Sequence, residues 1–319
     1  MVRTHVIAAA ARAALPLLNG PVYEGAVLGA FTRAVIVSVP TPDGPRVLSL
    51  LARNAAGVPN GLRVTGADAW ILAQQTPGDA VFVGAGRIML GGAEVLVVRS
   101  WPCRVRQLTV GSQGIEAVSE MILGRAASQE PGVPVQLVAD LESALHSALE
   151  SAVEPAARSA LEPAARSAGV ADPLPAAVRR LVGRGLGLTP GGDDVIAGAL
   201  LGLHATGATA GARLLTASAL EKVTLEKVTL EKVTERTTLL SADLLRLAAQ
   251  GDACLEVLGV LRAAHGSRDV LRPSTFALSV AIDRLLSVGH TSGADLATGL
   301  AIGLRVGARA GTRQRAEVR

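Results

Sequence analysis

Gly187-Leu-Thr-Pro-Gly-Gly-Asp-Asp194, running without a break into Val195-Ile-Ala-Gly-Ala-Leu-Leu-Gly-Leu203, sets the reading of this chain. Gly187, Gly191 and Gly192 permit backbone angles and close approaches that a side chain forbids. Pro190 stiffens the middle and has no N–H to donate. Thr189 brings a hydroxyl, and Asp193 and Asp194 bring adjacent carboxylates. The stretch reads as a loop opening a buried helix, with Asp193 or Asp194 at the N-cap. A tight turn with an ordinary cap is the plainest version of that reading.

A second stretch echoes the first. Gly289-His-Thr-Ser-Gly-Ala-Asp295 repeats Gly-x-Thr-x-Gly, and both continue with glycines four and eight residues after the last Asp: Gly198 and Gly202, then Gly299 and Gly303. A glycine inside a helix costs about 0.5–1 kcal/mol relative to Ala. Two per helix on one face imply that another backbone packs there. The two helices are expected to pack face to face, with their loops at the same end.

That end would carry two helix N-termini, a favourable place for a phosphate or carboxylate. Backbone at Gly187, Gly191, Gly192 and Gly293 and hydroxyls of Thr189, Thr291 and Ser292 are the candidate anion-binding groups. Asp193, Asp194 and Asp295 suit an anion only with a cation between, so Mg²⁺ is the expected cofactor. The alternative is that all three aspartates cap helices. His290 offers an imidazole for acid or base work, and it and Asp193 are the candidate catalytic residues. Thr237-Thr238-x-x-Ser241 either caps the next helix or adds Thr238 and Ser241 to the anion site. No Gly-x-Ser-x-Gly or His-Glu-x-x-His pattern is present, and no Lys follows the glycines as a phosphate loop requires.

Working outward, the chain divides into a β-rich domain over 1–110 and a mainly helical domain over 111–319, an α+β protein. In the first half, Thr32–Val39, Arg46–Leu51, Leu62–Val64, Ala80–Gly84, Arg87–Leu90 and Glu94–Val98 read as strands. Gly91-Gly92 is a hairpin signal. Short strands at close spacing point to a small antiparallel sheet or barrel. Residues 1–20, with their alanine run, read as a first helix. Further on, Ile115–Ala127, Val135–Ala152, Ala176–Val182, Ala242–Gln250, Cys254–Ala264 and Phe276–Val288 read as helices. The tandem copies at Val153–Ala168 and Leu220–Thr234 have periods too short for a repeat module. A five-residue step turns a helix by about 500°, so it forms no single stripe. Both read as surface expansions.

Composition narrows the function classes. With 2% aromatic residues and scattered arginines, the chain offers no base-stacking platform, so nucleic acid is not the expected partner. The uncharged run from Val195 to Ala212 is rich in glycine and threonine, so a buried helix is expected rather than a membrane span. Cys103 and Cys254 lack metal-ligand spacing and fit a reducing cytoplasm.

The ordered set Gly185-Leu-Gly-Leu-Thr-Pro-Gly-Gly-Asp-Asp194, Thr237-Thr238-x-x-Ser241 and Gly289–Asp295 resembles a bacterial domain-of-unknown-function family. That family includes AllH, a subunit of oxamate carbamoyltransferase in anaerobic allantoin breakdown. The resemblance implies reversible transfer of a carbamoyl group between oxalurate and phosphate, with FdrA-like and AllG-like subunits as partners. The matching positions are Thr189, Asp193, Asp194, His290, Thr291, Ser292 and Asp295. Leu186 stands where the family tends to have Pro, and Gly191 where it tends to have Ser, which removes one hydroxyl.

Overall fold

The computed structural model describes residues 4–66, 68–153, 172–224, 236–265 and 275–317. The repeat copies at 154–168 and 225–234 lie outside the described residues. The chain forms two units. The first holds residues up to Arg104 together with Ala242–Leu247 and Asp252–Leu258. The second holds Val105–Ser241, Ala248–Gly251 and the chain from Gly259 onward.

In the first unit eight strands close into a barrel. They are β1 (Thr4–Ala11), β2 (Tyr23–Phe31), β3 (Ala34–Thr41), β4 (Gly44–Leu51), β5 (Gly61–Val64), β6 (Ala80–Gly84), β7 (Arg87–Leu90) and β8 (Ala93–Trp101). Around the barrel the order is β1-β5-β4-β3-β2-β6-β7-β8, and β8 pairs back with β1. Neighbours run antiparallel except β1–β8 and β4–β5. Residues alternate between the barrel interior and its outer face, as a strand's period of two requires. Val81 and Val83 are sealed inside, while Phe82 between them is 42% exposed. Val35, Val37, Val39, Ile88 and Leu90 fill the interior with β3 and β7. Each such burial contributes about 1.5–3 kcal/mol. The hairpin expected at Gly91-Gly92 is present, and both glycines have positive φ.

Two short helices, α1 (Leu15–Asn19) and α2 (Trp70–Ala73), decorate the barrel. The expected first helix is corrected: residues 4–11 are strand, and helix is confined to a 3-10 turn at Arg12–Ala14 and to Leu15–Asn19. Val6, Ala8 and Ala10 alternate inward, and β1 is hydrogen-bonded on both sides, by β5 and by β8. A full-length ladder to β8, a shorter one to β5 and a closed barrel outweigh the modest helix preference of alanine. Strand β2 was not expected either, because its glycines and alanines give no β-branched signal.

The late segments in this unit are tied to the barrel by polar contacts. Asp243, 4% exposed, accepts from Arg46 Nε at 3.0 Å and Arg246 Nη2 at 2.8 Å. The Gly57 N–H donates to the Glu256 carboxylate at 3.2 Å, and the Leu255 N–H donates to the Gly57 carbonyl at 3.0 Å.

The second unit is helical. Its described helices are α3 (Ser112–Ala126), α4 (Val135–Val153), α5 (Pro173–Leu181), α6 (Gly191–Thr206), α7 (Thr209–Thr224), α8 (Leu239–Ala249), α9 (Leu255–His265), α10 (Thr275–Leu286) and α11 (Ser292–Glu317), with α8 and α9 also lending residues to the first unit. Leu141, Leu145 and Leu149 of α4 lie on one buried face, as their spacing predicts. Among the described residues no helix is long and apolar enough to cross a membrane.

Helices α6 and α11 are the centre of this unit, and they run parallel with backbones in contact. A Cβ on Gly198 would fall 2.2 Å from the Leu296 carbonyl oxygen; on Gly299, 2.0 Å from that of Val195. One turn later, a Cβ on Gly202 would meet the Leu300 carbonyl at 2.5 Å, and on Gly303 that of Ala199 at 2.1 Å. The four glycines thus form a ladder of reciprocal contacts that no other residue permits. Helix α11 is also fixed from its far side, where Arg305 pairs with Glu142 at 2.7 Å and Arg309 with Glu116 at 3.2 Å.

Candidate functional site

The ladder brings the two glycine loops to one end of the unit. Thr189 Oγ1 and Ser292 Oγ lie 3.0 Å apart and join the loops directly. The same end repeats a second contact: a Cβ on Gly192 would strike the Leu181 carbonyl, and one on Gly293 that of Leu285. Each loop therefore turns its helix back tightly against the end of the helix before it, α5 or α10.

The N-cap of α6 is Pro190, not Asp193 or Asp194, and it makes no side-chain cap bond. Pro190 offers its carbonyl instead, to the amides of Asp193 at 2.9 Å and Asp194 at 3.2 Å. The aspartates sit later in the first turn, because Gly191 and Gly192 must occupy its start for the helix to pass Leu181 and Asp295. Their side chains are left available for other contacts.

Asp193 is 1% exposed and both its oxygens are engaged. Oδ1 accepts from the Gly183 N–H at 2.8 Å; Oδ2 accepts from Ser241 Oγ at 2.7 Å and from Thr237 Oγ1. Burial raises its pKa, and these three donors pull in the opposite direction. Thr238 has two contacts. Its hydroxyl donates to the Leu188 carbonyl and accepts from the Ser241 N–H at 3.0 Å. It therefore caps α8 and holds the glycine loop at once.

Asp194 and Asp295 stand at matching positions of α6 and α11. Asp295, 3% exposed, accepts from the Gly132 N–H at 3.1 Å through Oδ1, and the Thr291 hydroxyl supports it. Asp194 is supported by the hydroxyls of Ser292 and Thr189. The Oδ2 atom of each is sealed from solvent and has no hydrogen-bond partner. Burial raises the pKa of both; that of Asp194 is pushed well up, and the neighbouring charges of Asp295 and Asp193 add to the rise. Among the described residues no group of three His, Cys, Asp or Glu side chains gathers as a metal cage.

The first-turn amides are largely engaged by carbonyls. The Gly192 N–H donates to Arg184 and the Gly293 N–H to Val288; those of Ala294 and Asp295 donate to Thr291. His290 is exposed on the second loop. Gly187 has positive φ and open space where a side chain would stand, and Leu186 beside it is 96% exposed. His204 lies at the other end of α6, bonded to the Ala249 carbonyl at 3.0 Å.

Two contributors were not singled out from the sequence. Gly132, from the connection between α3 and α4, lies against Asp295 and Gly191 so closely that a methyl group there would collide with Asp295 Oδ2. Its only local signal is the turn pair Pro131-Gly132. Gly183, just after α5, supplies the amide that holds Asp193.

No curated protein and no solved structure matches this chain. A family model does match: AllH, described as oxamate carbamoyltransferase subunit AllH, over residues 181–304. The match begins at the end of α5 and runs through both glycine loops, the Thr237–Ser241 segment and the whole ladder to Leu304. Over residues 181–304, then, the chain is similar to the AllH family.

Proposed function

We propose that the chain is a subunit of an oxamate carbamoyltransferase and that its glycine loops hold the small anionic reactants. The reaction moves a carbamoyl group between oxalurate and phosphate. A phosphate oxygen attacks the carbamoyl carbon, the C–N bond breaks, and the released nitrogen takes a proton to give oxamate beside carbamoyl phosphate. The observation that carries this reading is the junction of the two loops through Thr189 and Ser292 inside the matched segment.

The chemistry asks for donors to the developing negative charge and for a proton source. Thr189, Thr291 and Ser292 supply hydroxyls, and Gly187, Gly191, Gly192 and Gly293 let an anion approach the backbone. Thr238 and Ser241 hold the loop from behind. His290, exposed at the rim, would pass the proton. FdrA-like and AllG-like subunits would complete the enzyme in a reducing cytoplasm, where Cys103 and Cys254 stay free thiols.

A second reading, a non-catalytic anion-binding or scaffold subunit, draws on the engagement of the first-turn amides by Arg184, Val288 and Thr291. The test is phosphate-dependent oxalurate cleavage with Mg²⁺, measured for the purified chain alone and with its partner subunits. Cleavage that disappears when this chain is omitted, and falls at least about tenfold with Thr189→Ala, supports the first reading. Undiminished cleavage by the partners alone favours the second.

A further inference from the structure

We infer that Asp194 and Asp295 hold one divalent cation between the glycine loops, each through its Oδ2 atom. Two carboxylate oxygens at the same end of two contacting helices are sealed from water with no donor to satisfy them. Such atoms are rare in folded proteins, because burying a carboxylate oxygen without a partner is costly. The other oxygen of Asp295 and both oxygens of Asp193 are engaged, the former by the Gly132 amide, the latter by Gly183, Thr237 and Ser241. Asp295 Oδ2 lies against the start of α6, where a Cβ on Gly191 would fall 2.5 Å from it, and the charge of Asp295 acts on Asp194. Among the described residues, no Lys or Arg pairs with either of them.

The surroundings select the kind of cation. Among the described residues, the groups within this cluster are carboxylates and the hydroxyls of Thr189, Thr291 and Ser292, with no thiol or imidazole bonded to them. An all-oxygen donor set suits a hard ion such as Mg²⁺ or Mn²⁺, and two carboxylates leave coordination positions for water or for an oxygen of a bound anion. Asp193 lies next in sequence but is a positioning residue, since its oxygens are engaged. The inference does not depend on the transferase reading; where both hold, the cation gives an anionic reactant a reason to sit beside carboxylates.

The test is direct binding to the full chain, with no activity assay. Mn²⁺ is titrated and followed by electron paramagnetic resonance, with Mg²⁺ as competitor. The expected result is one Mn²⁺ per chain, displaced by Mg²⁺, with affinity lowered at least about tenfold in Asp194→Asn and in Asp295→Asn. Asp43→Asn, in an exposed turn of the barrel, keeps full affinity. Ser292→Ala, which removes one hydroxyl and no charge, serves where an aspartate variant does not fold, and it lowers affinity severalfold. Wild-type chain with a native circular dichroism spectrum and no Mn²⁺ uptake overturns the inference; the two carboxyls are then kept neutral by protonation. Uptake unchanged in the folded variants overturns it equally. Either failure leaves the oxalurate assay free to succeed or fail independently.

Discussion

Replacing Gly299 by Ala sets two effects of opposite sign against each other. Alanine is favoured over glycine inside a helix by about 1 kcal/mol. Against that, the new Cβ would fall 2.0 Å from the Val195 carbonyl oxygen, whereas ordinary contact begins at 3.4 Å. The obstacle is backbone, so no rotamer change relieves it, and α6 and α11 must part locally by about 1.4 Å, the difference of those two values. A gap of about 1 Å already forfeits up to half of each dispersion contact along the seam. Overpacking of this kind costs about 3 kcal/mol, the upper end of its usual range. The net expectation is a loss of about 2 kcal/mol. Gly124 in α3 supplies the internal control. It is exposed, and nothing lies within 4 Å of a Cβ built there. Gly124→Ala therefore gains up to about 1 kcal/mol. Urea unfolding of the full chain, followed by circular dichroism at a helix wavelength, reads both. The midpoint should fall for Gly299→Ala and rise for Gly124→Ala. A Gly299→Ala chain as stable as wild type, with an unchanged spectrum, would refute the ladder as the reason for these glycines.

Two further substitutions probe buried polar groups. Asp193→Asn keeps an acceptor for the Gly183 amide and offers an N–H₂ to the hydroxyls of Thr237 and Ser241, so it should cost less than about 1 kcal/mol. Asp193→Ala orphans all three groups and should cost about 3 kcal/mol; equal urea midpoints for the two variants would show that the network contributes nothing. The Cys254 thiol is pushed by burial from 9.0 up to about 12. A thiol pKa raised by folding stabilises the chain fully below the unfolded value and loses that contribution as pH climbs through the window to the folded one. Stability should therefore decline above about pH 9 by up to about 1.4 kcal/mol per pH unit. Cys254→Ala should flatten that decline, and in the wild-type chain Cys254 should resist alkylation at pH 8 until denaturant is added. Rapid labelling of the folded chain would contradict the burial.

Legibility from sequence followed the kind of contact involved. Strands β3, β4, β6, β7 and β8 announced themselves because valine, isoleucine and leucine alternate along them and Gly91-Gly92 marks a turn. Strand β1 did not, since its alanines favour a helix locally and become strand only through pairing with residues far along the chain, Val64 and Val97 among their neighbours. The ladder was legible because it is a pattern in small residues, and Gly198, Gly202, Gly299 and Gly303 repeat it at equal spacing. The cap of α6 was out of reach for a local reason: Asp is a common N-cap, and nothing in the sequence shows that Pro190 takes that place. Gly132 was out of reach, because its contact with Asp295 joins positions 163 apart.

The composition of the barrel unit has a consequence for how the chain is made. Synthesis delivers Thr4 first and Trp101 last among the strands, so the seam between β1 and β8 closes only after about a hundred residues have emerged. Even then the unit lacks Asp243, the counter-charge for Arg46, and Glu256, the acceptor for the Gly57 amide. Those arrive after both α6 and the first glycine loop have been made. The N-terminal half is thus not a detachable cassette: a fragment ending at Arg104 would leave an arginine and a backbone amide without their acceptors. Any splitting of this chain for expression would have to carry the segments Ala242–Leu247 and Asp252–Leu258 with the barrel.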